Sequence, residues 1–232
     1  MADQEPSAPP PFRTLLVRTT VPILPSHADR KQVTTSRLLL RPLCQEDLPA
    51  LYELRTQPEV MAWTKAGCID ASLAETQEKL SASLPPNDTK THNFAICLKS
   101  TGQLIGKGGV HILCDDSGWS QLGYMLRKEA WGQGYASEFA RAFVQAWGEL
   151  ERQEVETLVD PRTVVMREDG TAEECLIALT EAGNARSQGV LAKAGFEKLF
   201  TFEGINETKN SHVGGVIRLP VFRCLPRRME QA

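Results

Sequence analysis

The stretch Gln121-Leu122-Gly123-Tyr124-Met125-Leu126, then Arg127-Lys128-Glu129-Ala130, then Trp131-Gly132-Gln133-Gly134-Tyr135-Ala136-Ser137 decides how this chain folds. Its first six residues are short, apolar and aromatic, which is the composition of a strand. Beyond Ser137, the residues Phe139, Ala140, Phe143, Val144, Trp147 and Leu150 recur at helical spacing and give one apolar face. Between strand and helix lies a turn with Gly132 and Gly134. The first N–H groups of a helix lack partners within it, and the helix dipole favours negative charge there. Glycines let an anion reach the backbone, so strand, glycine turn and helix start together suit a phosphate.

Two phosphate loops can be tested against these residues. A P-loop needs four residues between its glycines, followed by Gly-Lys-Ser/Thr. The turn lacks that spacing. Leu104-Ile105-Gly106-Lys107-Gly108-Gly109 holds a Gly-Lys pair without a following hydroxyl and runs into Val110-His111-Ile112-Leu113, so it reads as a strand. The dinucleotide fingerprint Gly-x-Gly-x-x-Gly/Ala is nearly met by Gly132 to Ser137, with Ser in the last place. Its acidic residue would fall on Glu154 or Glu156. A tight turn without any ligand stands beside both readings.

Four further features occur in order. Trp131-Gly132-Gln133-Gly134-Tyr135-Ala136, preceded by Leu122 to Leu126, resembles the acetyl-CoA loop of GNAT acetyltransferases, Gln/Arg-x-x-Gly-x-Gly/Ala. Trp in the first place resembles the ribosomal-protein N-terminal acetyltransferase branch. Arg37-Leu38-Leu39-Leu40-Arg41-Pro42 resembles that branch's opening strand, and Asn184-Ala185-Arg186-Ser187 its Asn-x-x-Ser motif. Leu191-Ala192-Lys193-Ala194-Gly195-Phe196 resembles its Leu-x-Lys-x-Gly-Phe ending. The resemblance covers about residues 36 to 225 and implies an α/β (α+β) GNAT-like acyl-CoA N-acyltransferase fold, a mixed, mostly antiparallel sheet flanked by helices. A GNAT domain is expected over 36–226, after a disordered tail at 1–13 and an extension at 14–35.

The 232 residues suit one domain with a sizeable core. Charged residues make up 24% and hydrophobic residues 41%, as in ordinary globular proteins. A net charge of −3 gives no electrostatic reason to expect nucleic acid or an anionic membrane surface. The six cysteines are scattered without metal spacing, which points to reduced thiols in a cytoplasmic protein, and the four histidines (His27, His92, His111, His212) are equally dispersed, so no metal site is expected. No apolar run is long enough to span a membrane, and Met1 to Phe12 does not read as a signal peptide.

Taken in order, the chain predicts an extra strand at Thr14 to Leu24, a first core strand at Leu38 to Arg41, and helices at Cys44 to Thr56 and Ala71 to Leu84, the latter stopped by Pro85-Pro86. Strands follow at Asn93 to Lys99, Gln103 to Leu113 and Trp119 to Leu126, then the helix from Ala136 to Glu151. Two segments compete for the next core strand, Val155 to Val159 and Cys175 to Thr180. The second stands directly before Asn184 and is taken as the core strand, which makes 155–174 an insertion, a hairpin, a solvated loop or a flap beside the substrate. Ala185 to Ala194 reads as a helix closed by Gly195, and Glu197 to Ile205 and Val213 to Cys224 as the last strands, with a polar loop from Asn206 to His212.

The resemblance implies the chemistry. The strand at Tyr124 to Leu126 splays from its neighbour, so the backbone at Met125 and Leu126 meets the pantetheine arm and thioester of acetyl-CoA. Trp131, Gly132, Gln133, Gly134, Tyr135, Ala136 and Ser137 hold the pyrophosphate, and Asn184 bonds the cofactor arm. Many members carry a Tyr seven residues after that Asn to protonate the departing thiolate. Leu191 stands there, so Ser187 is the candidate acid. A Glu often precedes the Gly-Tyr pair by two residues; Gln121 stands there, so His111 is the candidate base. Tyr124 lines the substrate pocket or belongs to the core. The acceptor is an amine-bearing small molecule or a protein N-terminus, and a protein α-amino group with pKa near 8 is deprotonated more readily than lysine near 10.4. A monomer or homodimer is expected. An idle CoA-binding protein of the same fold is the alternative, motivated by Leu191 and Gln121; a nucleotide-dependent oxidoreductase rests on the glycine near miss alone.

Overall fold

The computed structural model describes residues 7–207 and 214–226. The expected tail at 1–6, His212 and the inner part of the 206–212 loop lie outside these residues. The frame is an eight-stranded sheet built from β2 (Val33–Thr34), β3 (Leu38–Pro42), β4 (His92–Leu98), β5 (Leu104–Ile112), β6 (Ser120–Leu126), β8 (Leu176–Leu179), β10 (Val216–Cys224) and β9 (Glu197–Ile205), in that spatial order. All neighbours are antiparallel except β6 and β8.

α4 (Tyr135–Gly148) lies on one face of the sheet because its apolar stripe has nowhere else to be dry. Phe139, Ala140, Phe143, Val144 and Trp147 are all buried there, with ring centroids 5.8 Å apart for Phe139–Phe143 and 5.9 Å for Phe143–Trp147. The glycine run in β5 has a packing reason. A Cβ on Gly108 would lie 2.5 Å from Cζ of Phe139, so only glycine lets the helix seat this closely. α5 (Ala185–Lys193) shares this face, with Leu191 buried in the same core.

The opposite face has two covers. α1 (Leu48–Arg55), α2 (Pro58–Met61) and α3 (Leu73–Ser81) lie over β3 to β5, burying Leu51, Leu54, Val60 and Leu80 against Ala95, Cys97 and Leu104. α3 starts at a reciprocal cap in which Ser72 Oγ accepts from Glu75 N and Glu75 Oε2 accepts from Ala71 N. The helix expected from Cys44 begins instead as a 3-10 turn at Gln45–Asp47, because the Asp47 carboxylate is drawn back to Cys44 N and Arg41.

The second cover is a two-stranded sheet of β1 (Leu15–Pro22) and β7 (Arg152–Val159). Their antiparallel register, Leu15↔Val159 to Pro22↔Arg152, joins the N-terminal extension to the first part of the insertion. It packs Val17 and Val159 on Trp119, Ile177, Phe202 and Val221. The expected hairpin within the insertion amounts to one bridge, Met166↔Ala172, around the Gly170 turn. Residues 8–12 of the expected disordered tail are held on the domain. Ala8 pairs with Phe202, Phe12 N donates to the buried Asp160 carboxylate at 3.2 Å, and Arg162 donates to Pro9 O and Pro10 O. Buried Glu174 fixes the far end of the insertion by accepting from Trp147 Nε1 and Arg152 Nε. Among the described residues no helix is long and apolar enough to cross a membrane, and no three metal-ligating side chains gather.

Candidate active site

β6 and β8 run together only at Ser120↔Leu176 and Gln121↔Ile177. Beyond Gln121 the two strands part, because β8 continues along β10 while β6 stays with β5. Arg127 N donates to Ile105 O at 2.8 Å, which fixes the ladder between β5 and β6. Alternation turns the N–H groups of Met125 and Gly123 to β5 as well, and those of Tyr124 and Leu126 into the opening. The expected pair Met125 and Leu126 is therefore corrected. Leu126 faces the opening, whereas Met125 is tied to β5 and its side chain packs with the α1–α3 core. Tyr124 supplies the second free N–H.

The glycine turn lies at the open end of this strand. Gly134 holds φ +82° as the residue before α4, a conformation that costs a side-chain-bearing residue about 1–2 kcal/mol. No side chain caps the helix there, and the first helical bond runs from Glu138 N to Gly134 O. The N–H groups of Tyr135, Ala136 and Ser137 therefore have no partner within the helix. Trp131 serves the turn differently from the expectation: its Nε1 donates to Leu126 O at 2.8 Å and its backbone N–H to Lys128 O at 3.1 Å. It braces turn against strand rather than facing a ligand. The Gln133 side chain likewise donates to Glu129 O at 2.6 Å.

The sequence reading gave no role to three residues around this turn. Arg37, the first residue of the opening motif, donates through Nη1 to Gln133 O at 2.9 Å and lies 4.5 Å from the Tyr135 ring centroid. Its Nε donates to Glu138 Oε2 at 2.7 Å. Burial alone would raise the Glu138 pKa, but Thr35, the backbone and guanidinium of Arg37, and Ser36 together hold it down to about 2. Arg186 stands over the Trp131 ring at 5.6 Å. Two guanidinium groups thus flank the phosphate-sized turn. The only sequence signal was that Arg37 and Arg186 occupy unassigned places inside recognised motifs.

On the α4 face the structure brings two candidate catalytic residues together. Asn184 caps α5, its Oδ1 accepting from Ser187 N at 3.0 Å, and so leaves its amide N–H₂ for other partners. Tyr124 Oη lies 2.9 Å from Ser187 Oγ at the lip of the opening. Burial pushes the Tyr124 hydroxyl up to about 12, against the opposing pull of Ser187, so it remains protonated across the physiological range. Leu191, which cannot donate a proton, is buried in the core.

His111 stands apart from that pair. The β5–β6 register shifts between Val110 and Ile112, which makes His111 the bulged residue. Its ring swings over Gly123, where a built Cβ would lie 2.7 Å from Nδ1 and Cε1. Gly123 and Tyr124 are consecutive in a strand, so His111 faces the side of the sheet opposite Ser187. Packing of the surrounding strands, then Lys107, hold the imidazole below its usual pKa, although the residue as a whole keeps an open surface. It is therefore neutral, and able to accept a proton, at neutral pH.

A sheet with one parallel pair, a cleft where that pair parts and an uncapped glycine turn at its mouth define an acyl-CoA-type transferase. The GNAT acetyltransferase domain model matches residues 37–197, and the chain belongs to that family. It is an acetyltransferase whose donor is acetyl-CoA. The chain is 28% identical over 129 residues to the uncharacterized N-acetyltransferase p20 of Bacillus licheniformis, covering 55% of this chain and 72% of that one. It shares its fold with a structure described as a ribosomal-protein-serine acetyltransferase from Vibrio cholerae, at 18% identity and TM-score 0.58 over 84% of this chain and 98% of that one. The spermidine N-acetyltransferase of Vibrio cholerae, in complex with CoA and spermine, shares it at 14% identity and TM-score 0.60 over 83% and 97%. The dinucleotide reading is overturned. A dinucleotide fold needs the strand after the glycine helix to rejoin the sheet in parallel, whereas β7, with Glu154 and Glu156, leaves the sheet to pair with β1.

Proposed function

We propose that this protein, acting in the cytoplasm, transfers the acetyl group to a primary amine of a small molecule or a protein N-terminus by direct attack in a ternary complex. The observation that carries the reading is the Tyr124–Ser187 hydroxyl pair at the opening beside β6, with a neutral imidazole on the opposite face.

When bound, acetyl-CoA supplies a thioester whose carbonyl is open to attack and whose sulfur leaves. The N–H groups of Tyr135, Ala136 and Ser137, flanked by Arg37 and Arg186, fit its phosphates; those of Tyr124 and Leu126, with the Asn184 amide, fit its arm. His111 removes a proton from the amine as the N–C bond forms. Ser187, held by its hydrogen bond with Tyr124, gives its proton to the sulfur as the C–S bond breaks and is reprotonated from solvent, to which His111 later releases the proton taken from the amine. One proton leaves nitrogen and one reaches sulfur, so no net charge accumulates. Splitting the base and the acid between two faces lets amine and thioester enter from opposite sides without competing for space. Holding both in one cleft contributes further rate through proximity.

The test is steady-state acetylation of an amine panel by wild type, Ser187→Ala and Tyr124→Phe. General-acid loss lowers kcat by about 100-fold in Ser187→Ala. The dissociation constant of acetyl-CoA stays within about threefold. Binding of acetyl-CoA without turnover of any amine would sink the reading in favour of an idle CoA-binding protein.

A further inference from the structure

On the His111 face of the sheet, one aromatic side chain spans from the α1–α3 cover to the start of α5. Met125 packs with the α1–α3 core, and Gly123, two residues before it, lies on the same face beneath the His111 ring. The turn after α2 leaves this cover. Trp63 N donates to Val60 O at 3.2 Å and Thr64 N to Met61 O at 3.0 Å, which ties the turn to a helix whose Val60 and Met61 are buried. From there the indole extends until its Cη2 lies 4.0 Å from a Cβ built on Gly183. Gly183 stands directly before Asn184, whose side chain accepts from Ser187 N. The ring therefore links the cover beside β6 to the start of α5, where Ser187 meets Tyr124.

Trp63 is 46% exposed, whereas Trp119 and Trp147 are buried in the core and Trp131 braces the glycine turn. Its tip is held and the rest of its ring is open. Among the described residues the cations over aromatic rings are Arg37, Arg162 and Arg186, none of them on Trp63. The segment between α2 and α3 carries one acid, Asp70, and Arg55, Lys79 and Thr76 occupy it. The segment thus offers an open aromatic plane and no free carboxylate. The chemistry of the amine decides what rests on that plane. The nitrogen that attacks the thioester is neutral, so at that step the ring cannot hold it as an ammonium. What the ring can cover is the carbon group next to the nitrogen, and that contact takes apolar surface of both out of water.

We infer that Trp63 is a wall of the acceptor site, and that the acceptor is a primary amine with an apolar side chain next to the reacting nitrogen. The inference rests on the acetyl-transfer reading and deepens it. Trp63 positions the acceptor and supplies no proton. An apolar amino-acid derivative and a protein N-terminus with an apolar first residue share this chemistry.

The experiment measures kcat and KM for alaninamide, leucinamide, two short peptides that begin with alanine or leucine, and spermidine, using wild type, Trp63→Ala and Trp63→Phe. Within each alanine and leucine pair the α-amino groups are alike and the apolar side chain differs. Wild type is expected to favour the leucine member by about tenfold in kcat/KM, and whether the amides or the peptides are used better identifies the source. Trp63→Ala is expected to bring that ratio within about threefold, through a higher KM for the leucine substrate with kcat retained. Trp63→Phe keeps an aromatic plane and should keep most of the ratio. The melting shift with acetyl-CoA should stay as in wild type in both variants. A tryptophan that served folding alone would lower activity on every acceptor alike, and an unchanged ratio in Trp63→Ala therefore overturns the inference. Equal use of the alanine and leucine members by wild type also overturns it and leaves the acetyltransferase reading standing. Preference for spermidine that Trp63→Ala abolishes would assign the ring to a cation and overturn it too. Bound acetyl-CoA without turnover of any acceptor overturns both readings.

Discussion

Replacing Gly134 by valine separates what the glycine turn does for folding from what it does for binding. Gly134 holds φ +82°, and a side chain there costs about 1–2 kcal/mol of backbone strain. Gly170, in the insertion, holds φ +78° with open space around its built Cβ. Gly170→Val therefore carries the same strain far from the cleft and serves as the control. Each variant should lower Tm by roughly 2–8 °C in a domain of this size. The two should differ in affinity. The Cβ added at Gly134 lies 3.4 Å from Arg37 Nη2 and directly before the free N–H groups of Tyr135 and Ala136. Losing one hydrogen bond to a charged phosphate costs about 1.5–3 kcal/mol, which is a factor of roughly 10–150 in dissociation constant. Calorimetric titration with acetyl-CoA measures that factor, and thermal unfolding without ligand measures the strain. Less than a threefold loss of affinity in Gly134→Val, or an equal loss in Gly170→Val, would refute the assignment of the turn to the phosphates.

Two further outcomes follow from groups around the site. Glu138 is held down to about 2 in the folded protein against an ordinary value near 4.5, so its contribution is complete above about pH 4.5 and is lost as pH falls towards 2. Urea unfolding should show Glu138→Gln to be about 2 kcal/mol less stable than wild type at pH 6, with the gap about halved at pH 3 and closing towards pH 2; a constant gap would show that the Arg37 clamp does not depend on charge. Asp160, whose side chain is fully buried, accepts from both Arg162 and Phe12 N. Asp160→Ala leaves Arg162 without its carboxylate, should cost about 3–5 kcal/mol, and should free residues 7–13 for proteolysis; cleavage there no faster than in wild type would show that the segment is held by other contacts.

The family could be read from four motifs that resemble its own, in the right order. A strand, two glycines and a 3.6-residue apolar stripe are local signals, because each depends on residues within one or two turns of each other. The stripe from Phe139 to Trp147 is buried as its period required. What could not be read depends on pairings across more than a hundred residues. The N-terminal extension and the insertion look like separate additions in the sequence, yet β1 and β7 satisfy each other's backbone as one sheet. Tyr124 gave equal grounds for pocket or core until α5 carried Ser187 to within 2.9 Å of its hydroxyl. His111 was one scattered histidine until a bulge in β5 turned its ring over Gly123. Arg37 lay inside a recognised motif without a role, because only the packing of β3 beside α4 brings its guanidinium to Gln133 and Glu138. Local periodicity determined which segments are strands and helices and where the glycine turn falls. The meeting of Tyr124 with Ser187, the turn of His111 over Gly123 and the Arg37 clamp came from long-range packing, which has no period to read.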